Sequence, residues 1–272
     1  MSKERYSSIN INFLLTFHKE EGVLLLQYIE GEQSMLRIEN LTKHYKGSNK
    51  GVTELSLHVE PGDIYAFIGH NGAGKTTLLK CVAGIHDFQK GEIYVAGTLL
   101  SENTLECKKS FAYIPDNPDL YEYLTGIQYL NFIADVFGVP AKERQERIAK
   151  YADAFEITSS LGDLISAYSH GMKQKLAIIS ALVHKPKLMI LDEPFVGLDP
   201  KAAVILKGIM KEICDEGGAI FFSTHVLDVA EKLCNKVAII KDGKLLVSGN
   251  MDDIVKDGDS LEDIFMEVAF KC

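Results

Sequence analysis

The stretch that decides the fold lies at residues 69–77 and reads Gly69-His70-Asn71-Gly72-Ala73-Gly74-Lys75-Thr76-Thr77. It matches the pattern G-x-x-x-x-G-K-[ST], in which glycines let backbone N–H groups approach a phosphate closely. An apolar run precedes it at residues 63–68, and a segment with helical character follows at residues 78–83. Strand, glycine loop and helix in that order predict a phosphate-binding loop at a helix N-terminus.

The residue types of this loop suit nucleotide phosphates. Lys75 is long enough to reach the β- and γ-phosphates, and the hydroxyl of Thr76 can bind Mg²⁺. A glycine-rich turn with a surface lysine is the alternative, and the flanking strand and helix disfavour it. We therefore expect the residues of this stretch to contact bound phosphates.

Composition and charge narrow the class of protein. The chain has 272 residues, of which 46% are hydrophobic, so it is long enough for one large α/β domain or two small ones. Its net charge is −9 and its basic residues do not cluster, which argues against nucleic acid as the main partner. Five cysteines without a C-x-x-C pair indicate reduced thiols in the cytosol. No apolar run approaches the length of about 18 residues that indicates a membrane span, so any action at a membrane requires a partner.

Two carboxylates end a buried strand that the sequence predicts at residues 187–194. The continuous apolar run indicates a central parallel strand, and ligands of open α/β sheets lie at the carboxyl ends of such strands. In extended backbone, Asp192 and Glu193 would point to opposite sides. We expect Asp192 to bind Mg²⁺ and Glu193 to orient or polarise the attacking water. A solvated acidic strand end is the weaker alternative, because a phosphate loop needs a ligand for its Mg²⁺.

A third apolar run, residues 219–225, ends in His225. A lone histidine is usually structural, but a position at the carboxyl end of a central strand, beside two carboxylates, favours contact with the ligand. We therefore assign catalytic roles to Lys75, Glu193 and His225.

Residues 1–34 differ from the rest of the chain. Charges interrupt their apolar runs, and they do not have the pattern of a signal peptide. Met35 begins a well-patterned strand, and Glu30-Gly31-Glu32 can be encoded by a purine-rich run like a bacterial ribosome-binding site. The first 34 residues are thus either upstream sequence, with Met35 as the natural start, or a genuine extension.

Residues 35–250 are interpreted as one domain with two kinds of pattern. Strands dominate residues 35–107, whereas residues 116–185 carry helical spacing and indicate a helical insertion. Residues 251–272 form a short helical tail. Tyr45, just after the first strand, could stack on a nucleotide base or pack locally against the domain.

These segments, in this order, resemble the ATP-binding subunit of ABC transporters from about Met35 to Val268. The likeness rests on the phosphate loop, the strand at 188–193, the segment Gly197-Leu198-Asp199, and His225 after Ser223-Thr224. The resemblance implies an α/β fold: a P-loop NTPase core with a mixed sheet, an antiparallel β subdomain and a helical insertion subdomain.

The family's signature, usually L-S-G-G-Q, is represented here by Tyr168-Ser169-His170-Gly171-Met172, in which Ser169 and Gly171 match. In the family this segment contacts the γ-phosphate of ATP bound to the other subunit of a head-to-tail dimer. Ser169 at a helix N-terminus keeps the physical means to do so, although serine and glycine are also ordinary capping residues. The variant looks most like subunits that serve export-type or ABC-2-like permeases.

Two more positions take their interpretation from the resemblance. Tyr45 matches the family's adenine-stacking aromatic residue. Asp116 stands where the family usually has a glutamine that senses Mg²⁺ and contacts the helical insertion. A carboxylate is a stronger but shorter Mg²⁺ ligand than the glutamine side chain, which puts the sensing role of this position in question. From the resemblance we group Asp116 with Thr76 and Asp192 around the metal.

The resemblance also implies a function. ATP and Mg²⁺ are the cofactors, and the partners are an integral membrane permease and a second ATP-binding subunit. The location is cytoplasmic, peripheral on the inner face of the cell membrane. ATP binding would close the dimer and hydrolysis would open it. We expect the permease to dock at residues 120–124, where aromatic residues cluster before the helical insertion.

Two other classes of protein remain as alternatives. The first is a soluble ATPase of the same family that acts on a macromolecular assembly, and such members usually have two nucleotide domains or long coiled-coil insertions. The second is a nucleotide-binding regulator without catalysis. The second is disfavoured because Lys75, Asp192, Glu193 and His225 are all present.

Overall fold

The computed structural model describes residues 34–48, 50–256 and 258–270. In chain order, its strands are β1 Leu36–His44, β2 Gly51–Val59, β3 Ile64–Ile68, β4 Lys90–Val95, β5 Thr98–Leu99, β6 Phe111–Ile114, β7 Leu188–Asp192, β8 Ala219–Thr224, β9 Lys236–Lys241 and β10 Lys244–Asn250. Its helices are α1 Lys75–Val82, α2 Thr104–Ser110, α3 Gly126–Val136, α4 Ala141–Ala154, α5 His170–Val183, α6 Pro200–Asp215, α7 Leu227–Leu233, α8 Met251–Ile254 and α9 Leu261–Phe270. The expectation for the first 34 residues falls, apart from Ser34, outside the described residues.

A mixed six-stranded sheet forms the centre, with the order β10-β9-β3-β8-β7-β6. Neighbouring strands from β9 to β6 run parallel, and β10 pairs antiparallel with β9. Strands β3, β7 and β8 are buried along their whole length, which explains their continuous apolar sequences. Because these three strands are adjacent and parallel, their carboxyl ends meet at one edge of the sheet.

The central sheet separates two hydrophobic cores. Along β3, Ala66 and Ile68 face the core shared with the helices, whereas Tyr65 and Phe67 face the core under the second sheet. This alternation follows from the two-residue period of a strand. The second sheet is antiparallel, with the order β2-β1-β4-β5, and it packs on the same side as α1.

The helices α3, α4 and α5 follow β6 and pack against one another in the first of these cores. A capping box begins α3, in which Thr125 and Gln128 satisfy each other's backbone N–H groups. No helix of the described residues is long and apolar enough to cross a membrane.

The structure confirms the predicted fold class, since an α/β core with a mixed sheet is joined by an antiparallel sheet and by helices after β6. Two helices, α2 and α7, were not predicted. Each has seven residues and buries a single side chain, Cys107 or Ala230, so neither leaves a recognisable apolar stripe in the sequence.

Candidate functional site

The phosphate loop connects β3 to α1, and two of its glycines are required by close contacts. Gly74 has a φ of 113°, and a Cβ there would come within 2.6 Å of the Gly51 carbonyl oxygen. A Cβ on Gly69 would lie 2.5 Å from the carbonyl oxygen of Ile240. The loop is therefore held tightly between β2 and β9, and its backbone shape leaves no room for larger residues.

Lys75, the first residue of α1, lies inside this loop and is 7% exposed. Its ammonium donates to the carbonyl oxygens of Gly69 at 2.6 Å and His70 at 3.4 Å. The same Nζ atom is 3.8 Å from Glu193 Oε1. Burial lowers the pKa of Lys75, and the nearby carboxylates of Glu193 and Asp192 oppose that effect. The ammonium group of Lys75 is thus held inside the loop by hydrogen bonds to backbone carbonyls.

Asp192 ends β7 and is 1% exposed. Its Oδ1 accepts a hydrogen bond from the Ser223 hydroxyl, whereas the buried Oδ2 has no hydrogen-bond partner among the described residues. Burial raises the pKa of Asp192, and the charges of Asp116 and Glu193 add to the increase. The hydroxyls of Ser223 and Thr76 act in the opposite direction, so Thr76 lies nearby without a normal hydrogen bond to Oδ2. A buried carboxylate oxygen without a donor is suited to a cation.

Glu193 corrects one expectation about the two carboxylates. Its φ is 49°, in the left-handed region, so the pair is not extended and the argument from opposite faces of a strand is wrong. The Glu193 N–H donates to the Ser223 hydroxyl at 3.1 Å, which holds this turn. The chain therefore turns immediately after Asp192, and this turn rather than the alternation of a strand sets the direction of the Glu193 side chain.

The structure brings His225 to Glu193. His225 Nδ1 lies 2.9 Å from Glu193 Oε1, a hydrogen bond between the ends of β7 and β8. The His225 side chain is 53% exposed, whereas that of Glu193 is 16% exposed. The histidine therefore covers a carboxylate at the cleft rather than filling the core.

Tyr45 lies at the mouth of the cleft and is 40% exposed. Its hydroxyl is 3.4 Å from Thr77 Oγ1, and its ring meets that of His86 edge to face, with centroids 5.9 Å apart. Lys43 Nζ lies 5.4 Å from the centre of the tyrosine ring. The ring thus stands beside the end of the phosphate loop with part of its surface open to a planar ligand.

The cleft has a volume of about 270 Å³, near the lower limit for small-molecule pockets, so it suits the phosphates rather than a whole nucleotide. It is lined by Tyr45, Lys50, Gly51, His70, Asn71, Gly72, Gly74, Lys75, Thr76, Thr77, Asp116, Asp192 and Glu193. Lys50 and Gly51 were not predicted, because a lysine before β2 and a glycine at its first position form no recognisable motif. Gly69 and Ala73 support the loop from within, and His225 reaches the cleft through Glu193.

Ser169 and Gly171 lie outside this cleft, at the start of α5. Ser169 caps the helix, its hydroxyl accepting from the Met172 N–H at 3.3 Å. Gly171 is close to another loop, since a Cβ on it would be 2.8 Å from the Gly197 carbonyl oxygen. Within one chain, therefore, these two residues and the phosphate loop are not brought together.

The arrangement can bind a nucleoside triphosphate and orient a water molecule for attack on a phosphate. The loop and Lys75 supply donors for phosphates, and Glu193 with His225 supplies an acceptor held by a second side chain. No group of three or more His, Cys, Asp or Glu residues in the described part of the chain could hold a metal ion by itself. Any cation at Asp192 would therefore need oxygens from the phosphates or from water.

Residues 52–196 match the protein family described as ABC transporter. The chain is 33% identical over 241 residues to the ABC-type transporter ATP-binding protein EcsA of Bacillus subtilis, covering 87% of this chain and 97% of that protein. A solved ATP-binding subunit of an ABC transporter superposes with a TM-score of 0.82 at 34% identity, over 86% of this chain and 99% of that one. The structure of cbiO1 from Clostridium perfringens, part of the ABC transporter complex cbiONQ, matches with a TM-score of 0.69 at 26% identity, over 82% and 91% of the two chains.

Proposed function

Because the chain belongs to the ATP-binding proteins of ABC transporters and is an ATP hydrolase, we propose that it powers a membrane permease through ATP-driven closure of a dimer. The observation that carries the proposal is the division of the site. One chain supplies the phosphate loop, Asp192, Glu193 and His225, whereas its exposed Ser169 lies outside that cleft. In a dimer, Ser169 would contact the nucleotide held by the other chain.

Mg²⁺ fits the residues at the end of β7. The buried Asp192 Oδ2 without a donor and the nearby Thr76 hydroxyl are the oxygen ligands that this chain offers, and Asp116 adds a third oxygen-bearing side chain in the same cleft. The ion would neutralise charge on the phosphates of ATP when bound. This assignment leaves the remaining ligand positions to phosphate and water, as is usual for Mg²⁺.

Hydrolysis would use Lys75, Glu193 and His225 in different ways. Lys75 exchanges its backbone partners, the carbonyls of Gly69 and His70, for the β- and γ-phosphates. Glu193 accepts a hydrogen bond from the attacking water and orients it towards the γ-phosphate. His225, bonded to Glu193, fixes that carboxylate in place.

The dimer would form head to tail, so that each nucleotide lies between one chain's phosphate loop and the other chain's signature segment. Ser169 is exposed at the N-terminus of a 14-residue helix, where unpaired N–H groups and the helix dipole favour a phosphate. Tyr45 would stack on the adenine at the open side of the cleft.

The permease would dock on the face formed by β6 and the helices that follow it. A groove of about 450 Å³ lies there, lined mainly by apolar side chains that include Ile85, Pro118, Leu120, Ile133 and Phe137. Beside Leu120, Tyr121 and Tyr123 are 45% and 75% exposed and stack on each other. Exposed aromatic residues are enriched at protein interfaces, and the similarity to cbiO1 of a transporter complex supports a permease as the occupant. We place the chain on the inner face of the membrane, serving a permease of export or ABC-2-like type.

The test of this proposal is Glu193→Gln in the full chain. The substitution keeps the shape of the side chain but removes its charge and basicity, so turnover should fall by at least about 10² while ATP binding survives. A dimer with uncleaved ATP should accumulate, because binding closes it and hydrolysis reopens it. The measurements are the ATPase rate and size-exclusion chromatography with Mg-ATP.

Lys75→Ala is the matched comparison, since it should lose nucleotide binding together with turnover. Near wild-type turnover in Glu193→Gln would remove Glu193 from the mechanism. A slow Glu193→Gln variant that stays monomeric with Mg-ATP, alone and with its permease, would contradict closure of a dimer.

A further inference from the structure

The loop before α3 is tied by its backbone to the segment that leads into the signature. The Ile165 N–H donates to the Leu124 carbonyl at 2.9 Å, and the Ser166 N–H donates to the Glu122 carbonyl at 3.1 Å. Ile165 is completely buried, so this connection is anchored in the core. Residues 120–124, which we call the docking loop, and the chain that leads to Ser169 therefore form one connected unit.

A side-chain contact extends this unit into α5. The ammonium of Lys173 donates to Glu122 Oε1 and forms an ion pair with it. Lys173 lies one helical turn after Ser169, whose carbonyl accepts the Lys173 N–H at 2.9 Å. The ion pair thus joins the docking loop to the first turn of α5.

The space around this ion pair shows why it matters. A cavity of about 470 Å³ separates the docking loop from the start of α5, and Leu120, Glu122, His170 and Lys173 line it. Gly197 packs against His170 and Gly171 from another side of this turn, whereas across the cavity the ion pair links the turn to the docking loop. The Lys173 and Glu122 side chains are 24% and 57% exposed, so solvent partly screens their attraction. An ion pair of this strength can favour one position of the first turn of α5 without being needed for the stability of the fold.

We propose that Glu122 is a positioning residue for ATP hydrolysis, which acts by holding Lys173 and thereby placing Ser169. The inference rests on the proposed function, because Ser169 acts only on a nucleotide held by another chain. Tyr121 and Tyr123 flank Glu122 in the sequence and are exposed. A permease seated on these tyrosines would therefore displace the signature segment through the same carboxylate.

The test uses the full chain carrying Glu122→Gln, Lys173→Gln, or the double charge reversal Glu122→Lys with Lys173→Glu. Each single variant should lower kcat by about fivefold, the effect of losing one partly exposed ion pair, with KM for ATP unchanged because neither residue lines the cleft. Amide hydrogen exchange at residues 169–173 should become faster. The double reversal should restore both kcat and protection.

Glu212→Gln is the matched control. It removes the ion pair of Glu212 with Lys150, 3.3 Å long, which joins the helical region to α6 without touching the docking loop. We expect no change in kcat or in exchange at residues 169–173. This separates a positioning role from a general effect of losing a surface ion pair.

Unchanged kcat in both single variants overturns the proposal, and so does a double reversal that stays as slow as the single variants. Faster exchange without any loss of kcat also overturns it, because the contact would then be structural alone. Failure of the proposed function would be seen separately, as a Glu193→Gln variant that forms no dimer with ATP. In that case, hydrogen exchange measured on the monomer would still show whether Glu122 holds the first turn of α5.

Discussion

At the scale of single residues, the backbone of Glu193 shapes the candidate site at the end of β7. A left-handed φ at a residue other than glycine costs of the order of 1–3 kcal/mol and persists only where its surroundings hold it. Ser223 provides that support through its hydroxyl, which accepts from the Glu193 N–H at 3.1 Å. The same hydroxyl donates to Asp192. One serine on β8 therefore organises both carboxylates at the end of β7.

Asp116 stands where the resemblance places a glutamine, and its charge contributes to the raised pKa of Asp192. We expect Asp116→Gln to leave nucleotide affinity nearly unchanged and to raise the Mg²⁺ concentration for half-maximal ATPase by about tenfold, the lower end for losing an outer partner of a metal. A titration of ATPase rate with Mg²⁺ at saturating ATP measures it.

The control for this titration is Asp252→Asn in α8, an exposed aspartate in the first turn of that helix. It should leave the Mg²⁺ dependence as it is. If Asp116→Ala matches the wild type in Mg²⁺ dependence, turnover and transport, the Asp116 side chain has no role at the metal or in coupling to the permease.

At the scale of elements, Tyr168 connects the signature segment to the helical region. The Tyr168 side chain is buried, and its hydroxyl donates to the Ser160 carbonyl. Gly126, the first residue of α3, makes room for that hydroxyl, since a Cβ there would lie 2.3 Å from it. The tyrosine that replaces the family's leucine thus packs under the start of α3 and adds a hydrogen bond.

Tyr168→Phe should lower the free energy of unfolding by about 1 kcal/mol, because the Ser160 carbonyl loses the hydrogen bond from the tyrosine and keeps the one from the Asp163 N–H. The expected fall in Tm is about 2–4 °C, measured by thermal denaturation. Tyr94→Phe is the control, since the Tyr94 hydroxyl donates to the exposed Glu92. Its Tm should stay within about 1 °C of the wild type, as for most surface substitutions.

The same packing predicts that Gly126→Ala destabilises the chain less in the Tyr168→Phe background, because the nearest atom to the added Cβ has then been removed. Equal destabilisation in both backgrounds would show that the hydroxyl is not what excludes a side chain at position 126.

At the scale of the whole molecule, the central sheet places the candidate cleft and the apolar groove on connected surfaces. The cleft lies at the carboxyl ends of β3, β7 and β8, and β6 at the sheet edge leads directly to Asp116 and the docking loop. Tyr113 of β6 lines the apolar groove, and the charges of Asp192 and Asp116 contribute to its raised pKa after burial.

Tyr121→Ala or Tyr123→Ala should weaken recovery of the complex with the permease without altering the fold, because each removes exposed aromatic area from the docking loop. Co-purification with the tagged full chain is the measurement, with circular dichroism as the check on folding. Met266→Ala in α9, which truncates a side chain that is 52% exposed, should leave recovery unchanged. Undiminished recovery of both tyrosine variants would place the interface elsewhere.

The sequence by itself determined the parts of this protein that depend on neighbouring residues. The phosphate loop is a local motif between a strand and a helix, and the ends of β7 and β8 follow from apolar runs bounded by polar residues. These patterns report burial over a few positions, which is why the sequence predicts the strands β3, β7 and β8 correctly but not the turn at Glu193.

Only the tertiary structure decided how these parts meet. Contacts between distant strands set the order β3-β8-β7, and that order brings Lys75, Glu193 and His225 within reach of one another. The left-handed turn at Glu193 depends on its hydrogen bond to Ser223 of the neighbouring strand, which no local pattern encodes. The separation of Ser169 from the cleft likewise follows from where α5 packs, because non-local burial rather than local spacing fixes a helix in its place.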